Sequence, residues 1–207
     1  SRDQGQNTPF YVKEAGAKGF QDPNNSQIWS PYPDDAVFQQ KYEKFLQAFA
    51  VAFDDPDKVD FIDAYGLGKW GEAHGVKYND YSKKEEVFEW ITDVYTKAFK
   101  RVPLVINYHR LVGDTISWAK PHPDSKRLLE RAIAKGYIIR HDAFGMTGYY
   151  EQWEKDFARA YRYRLPIIME GGWITGAHHR YWIDPSGKYR EGHSEDVRLG
   201  EYEESRN

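Results

Sequence analysis

Between residues 102 and 142 the chain runs Val102-Pro-Leu-Val-Ile-Asn107, then Ser125-Lys-Arg-Leu-Leu-Glu-Arg-Ala-Ile-Ala-Lys135, then Gly136-Tyr-Ile-Ile-Arg-His-Asp142. The first and third pieces are short and apolar on both faces, which describes a strand covered on both sides rather than the alternating strand of a hairpin. The middle piece has apolar residues at helical spacing and stops at Gly136, the residue type that closes helices in a left-handed conformation. Strand, helix, strand in this order is a βαβ unit, and its two strands are expected to lie parallel.

The same pattern extends outward. Downstream, Trp153, Phe157 and Ala160 fall on one face of a helix expected over Tyr149 to Tyr163, and Leu165 to Met169 follows as a strand. Upstream, Val59 to Leu67 reads as a strand. Ser82 and Glu85 stand in the Ser-x-x-Glu spacing of a capping box ahead of a helix carrying Val87, Phe88, Ile91, Val94, Tyr95, Ala98 and Phe99. A further helix carries Phe38, Tyr42, Phe45, Leu46, Phe49 and Phe53, with Asp34 or Asp35 available as its cap after Pro33. The strand centres at Ile62, Val105, Ile139 and Ile168 are 43, 34 and 29 residues apart, against roughly 31 per unit of an eight-fold βα barrel. No Gly-rich phosphate turn follows any strand, which removes the main warrant for a nucleotide-binding open sheet. The expectation is an α/β fold, a portion of a (β/α)8 TIM barrel. It divides into a loop-rich lead-in over 1–33 with a short strand at Phe10 to Val12, βα units over 34–183, and a charged tail over 184–207.

Composition bounds the function. The 207 residues carry Lys+Arg 29 against Asp+Glu 32, a formal charge of −3, so non-specific nucleic-acid binding has no electrostatic basis. Apolar runs fall far short of the roughly 20 residues of a membrane-spanning helix. With no Cys, disulfide frameworks, thiolate nucleophiles and Cys-ligated zinc are all excluded. The 34 aromatic residues outnumber the 31 Leu, Ile and Val together. Tyr and Trp combine a flat apolar face with a polar tip, which suits stacking on sugar rings as well as ordinary packing.

A barrel places its active site where the strands end, and each expected strand here ends in polar groups. The first leads to Trp70, Glu72 and His74, the second to Asn107 and His109, the third to Arg140 and Asp142, and the fourth to Glu170 and Trp173. Glycosidic bond cleavage requires one protonated and one ionised carboxyl group. Glu72 and Glu170, from different strands, supply such a pair, although a strand-end Glu taken alone is more often an ion-pair partner. Arg140 and Asp142 share a strand face and make either a buried ion pair or a substrate clamp. Asn107 and His109 likewise share a face and are placed to bond sugar hydroxyls. Trp70 and Trp173 are candidate stacking platforms.

The run Phe61-Ile-Asp-Ala-Tyr-Gly-Leu-Gly-Lys-Trp-Gly-Glu-Ala-His74 resembles the Gly-x-Trp-Gly-Glu-x-His segment of bacterial glycoside hydrolases related to family 42 β-galactosidases and other clan A enzymes. The resemblance also takes in Pro9-Phe-Tyr-Val12, Arg140-His-Asp142 and Pro166-Ile-Ile-Met-Glu170. It implies that the four strands are about strands 4–7 of the barrel, with Glu72 as acid/base and Glu170 as nucleophile of a retaining O-glycosyl hydrolase. It further implies that the other strands lie outside these residues and, as enzymes of this type are commonly exported, a periplasmic or secreted location; four parallel strands alone would leave two open edges, which more of the chain or self-association is expected to cover. The clan usually places Asn, a contact for the sugar 2-hydroxyl, directly before its acid/base Glu; here Gly71 stands there.

Two alternatives follow. One is a carbohydrate-binding barrel protein without catalysis, for which Gly71 is the best support. The other is a metal-dependent hydrolase or lyase using His178 and His179 with Glu72, His74, His109 or Asp142. No His-Glu-x-x-His spacing occurs, and no metal or other cofactor is expected.

Overall fold

The computed structural model describes residues 8–23, 25–107, 115–117, 120–121, 124–144, 159, 161 and 163–171, with backbone alone at 115–117, 120–121, 141–144 and 169–171. The order is α1 (Phe10–Glu14), β1 (Gly19–Asp22), β2 (Asn25–Pro31), α2 (Ala36–Phe53), β3 (Ile62–Asp63), α3 (Lys84–Ala98), β4 (Leu104–Asn107), β5 (Thr115–Ser117), β6 (Lys120–Pro121), α4 (Ser125–Ala134), β7 (Ile138–Phe144) and β8 (Ile167–Gly171). Besides two small antiparallel pairs, β1 with β2 and β5 with β6, there is a four-stranded sheet ordered β3-β4-β7-β8. Every pairing in that sheet is parallel. The chain is therefore mixed α/β with a four-stranded parallel sheet, as the apolar strand runs predict.

The register sorts the strand residues into two faces. Ile106 pairs with Ile139, and Ile139 with Ile167; Asn107 pairs with Arg140, and Arg140 with Ile168. Aligned residues of neighbouring parallel strands share a face, and faces alternate along each strand. Ile62, Leu104, Ile106 and Ile139 thus form one face and join the core that includes Phe88, Ile91, Leu128 and Leu129 from the helices. Asp63, Asn107 and Arg140 belong to the opposite face.

The helices form a neighbouring series. Trp90 Nε1 of α3 donates to Glu43 Oε1 of α2 at 2.8 Å, and the hydroxyls of Tyr42 and Tyr95 meet at 3.1 Å. Between α3 and α4, Glu85 accepts from Arg127 and Arg131, and Lys135 reaches both Glu89 and Asp93. The helix α4 closes as Gly136 predicts. Gly136, at φ +95°, donates to Ile133 O and Tyr137 donates to Ala132 O, the two bonds of a Schellman motif. That stop turns the chain directly into β7.

Several local expectations are corrected. Phe10 to Val12 opens the helix α1 instead of a strand, and residues 19–31 carry a hairpin where only loop is expected. The strand expected over Val59 to Leu67 shrinks to Ile62–Asp63, because the chain turns into a tight loop at Gly66. Asp35 caps α2 by accepting from the Phe38 N–H at 2.9 Å. The Ser82/Glu85 capping box does not form. Asp80 caps a 3-10 turn at Tyr81–Lys83, Ser82 donates its hydroxyl to Asp80, and Glu85 is drawn to the arginines of α4. On α2, Phe38 and Leu46 are buried, but Phe45 and Phe53 stand exposed on either side of Phe49. The expected helix over 149–163 and the tail over 184–207 lie outside the described residues, apart from helical positions at 159 and 161 and a turn at Tyr163.

Candidate functional site

The loop after β3 is a compact turn closed on itself. Lys69 donates to His74 O and Ala73 to Leu67 O, both at 2.8 Å. Gly68, at φ +75°, lies so close to the returning strand that a Cβ there would meet the Ala73 backbone at 2.7 Å. Trp70 and Ala73 adopt φ of +60° and +59°, conformations that cost L residues about 1–3 kcal/mol and persist only where the surroundings enforce them. The fold thereby accepts strain to aim the segment carrying Trp70, Glu72 and His74.

Glu72 meets the sheet through this turn. Its Oε1 accepts from Arg140 Nη2 at 3.0 Å, and its Oε2 lies 3.5 Å from His74 Nε2. Arg140 also places Nη1 3.2 Å from Asp63 Oδ2. The Glu72 side chain is 14% exposed and that of Arg140 8%, so this ion pair is largely withdrawn from water. Contact with His74 draws the Glu72 carboxyl below the usual glutamate range; burial opposes this, and the Arg140 guanidinium adds to the lowering. In this state Glu72 is a carboxylate.

Trp70 is 58% exposed, stands edge-on to His74 with ring centroids 5.1 Å apart, and has the Lys69 ammonium 5.0 Å from its own centroid.

Of the residues singled out from the sequence, Glu72, His74 and Arg140 come together, with Trp70 at their margin. Asn107 pairs with Arg140 in the sheet register. Asp142 lies on β7, and Glu170 on β8 directly before the Gly171 that pairs with Phe144. His109, Trp173, His178 and His179 lie outside the described residues. Among the described residues no group of three or more His, Asp or Glu is arranged to hold a metal, and no helix is long and apolar enough to cross a membrane.

Asp63 was not among the candidates. Its signal is the alternation of apolar Ile62 with polar Asp63, which puts a carboxylate on the sheet face that carries Asn107 and Arg140.

Comparison with known protein families gives no match, and comparison with curated protein sequences gives none either.

Proposed function

We propose that the chain forms one arc of a (β/α)8 barrel and is a retaining glycoside hydrolase, with Glu72 as acid/base and Glu170 as nucleophile. The observation that supports the barrel in this reading is the sheet order β3-β4-β7-β8, which follows the chain without reversal. A doubly wound sheet reverses its order at a switch point, whereas a barrel adds each strand beside the last. Parallel strands also end on one side, which groups the loop bearing Glu72 with Asn107, Arg140, Asp142 and Glu170.

In the first step Glu170 bonds the anomeric carbon as the glycosidic C–O bond breaks, and a protonated Glu72 gives its proton to the leaving oxygen. In the second, water attacks that carbon, Glu72 takes the water proton, and the bond to Glu170 breaks. Trp70 and Trp173 would wall the sugar ring, while His74, Asn107, His109, Arg140 and Asp142 would bond its hydroxyls. The remaining strands come from more of the chain or a second copy, and the location is periplasmic or secreted.

The Arg140 bond to Glu72 favours a second reading, a carbohydrate-binding barrel without turnover, because a general acid must hold a proton at its working pH. Gly71, which offers no side chain to a 2-hydroxyl, favours it as well.

A panel of aryl glycosides assayed with the full chain and with Glu72→Gln and Glu170→Gln separates the two. The hydrolase requires parent turnover that collapses in both variants. Turnover unchanged in both rejects these assignments, and sugar affinity by calorimetry without any turnover establishes the binding protein.

A further inference from the structure

We propose that Asp63 is a positioning residue for Glu72, acting through Arg140; this rests on Glu72 being the working carboxylate of the site. Asp63 and Glu72 both come from the β3 end of the sheet, one in the strand and one in the loop that follows it. Arg140 comes from β7, two places away in the order β3-β4-β7-β8. Its side chain therefore spans β4 to reach them. A guanidinium on a long, rotatable stem has little reason to hold one orientation through a single bond. Here Nη2 donates to Glu72 at 3.0 Å, while Nη1 lies 3.2 Å from Asp63 Oδ2 as an ion-pair contact and not as an aligned hydrogen bond, so the fork lies between two carboxylates. The pull of the Asp63 carboxylate on Nη1 favours the orientation in which Nη2 is aimed at Glu72.

The sign of one measurement isolates this role. Among the described residues, the charged and titratable groups facing Glu72 are Arg140 from β7 and His74 from its own loop. Asp63 is itself an anion. If it contributed charge alone, removing it would leave Glu72 in a more positive surround and make its proton easier to lose. If it positions Arg140, removing it lets the guanidinium turn from Glu72, and the Glu72 proton becomes harder to lose.

The test is an NMR titration of the Glu72 side-chain carboxyl, carbon-13 labelled, in the full chain and in Asp63→Ala. The expected result is a rise in the Glu72 midpoint of roughly one pH unit, the low end of what a neighbouring guanidinium is worth to a carboxylate. An unchanged or lowered midpoint overturns the proposal. Asp35→Ala, which removes the cap of α2, is the control for general loosening and must leave the midpoint in place; an equal rise there also overturns it. Should Asp63→Ala not fold, Asp63→Ser, too short to reach Nη1, must give the same rise. The measurement needs no turnover, so its failure is distinct from a failure of the glycosidase assignment.

Discussion

Arg140 Nη2 donates to Glu72 Oε1 at 3.0 Å, joining a residue inside a central strand to one in a loop 68 positions earlier. The bond gathers the sheet and the strained turn after β3 into one cluster, and together with the His74 contact it favours the carboxylate form of Glu72.

Removing the cation should be costly. Arg140→Ala leaves the Glu72 and Asp63 carboxylates without their shared partner, and the expected loss of stability is about 3 kcal/mol, the low end for breaking a buried pair because Asp63 is partly solvated. Urea unfolding against the parent measures it; a loss below about 1 kcal/mol would show that water already screens the pair.

Glu72 should also imprint a pH dependence on folding. Its carboxyl titrates lower in the folded chain than the 4.5 of a free glutamate, so its stabilisation is complete above that value and fades as pH falls through the lower folded one. Urea midpoints of the parent and Glu72→Gln should therefore differ most at neutral pH and converge under acid. A gap that widens on acidification would contradict the lowered titration.

Asp54 holds the end of α2 to the start of β4. Its carboxylate accepts from the backbone N–H groups of Lys100, Arg101 and Val102 at 2.8, 2.9 and 2.8 Å. Burial works against the ionised form, yet these bonds and Arg101 keep the carboxyl below its usual range. Asp54→Ala should cost about 1–2 kcal/mol, as the loss of a helix cap does, and Asp54→Asn less, since one acceptor oxygen survives. Chemical denaturation of the two variants orders them.

Gly68→Ala should unseat the loop. The added methyl meets backbone atoms of Ala73 and His74 at 2.7–2.8 Å in a left-handed conformation, and about 2 kcal/mol of destabilisation is expected from strain of this kind. Because the same loop carries Trp70, its fluorescence should shift under conditions where the sheet remains folded.

Trp70→Ala probes the proposed stacking platform. An indole so exposed contributes little to the core, so stability should stay within about 0.5 kcal/mol of the parent. Sugar affinity should fall by about 1 kcal/mol in calorimetry. Loss of the fold would place Trp70 among the packing residues instead.

What the sequence determined by itself is the alternation of strand and helix. Apolar runs such as Leu104 to Ile106, the period of Val87 to Tyr95 and the stop at Gly136 act over a few residues, so each element follows from its own neighbours. Glu72, His74 and Arg140 were legible as candidates because strand ends in a parallel sheet converge. Tertiary structure alone decided their partners. Arg140 of β7 is brought to Glu72 and Asp63, 68 and 77 positions earlier, and Glu85 gives up a capping box for arginines over 40 positions away. A carboxylate within reach of a guanidinium gains more than one beside a backbone N–H, and which guanidinium comes within reach depends on strand register, β4 against β7, which no local pattern encodes.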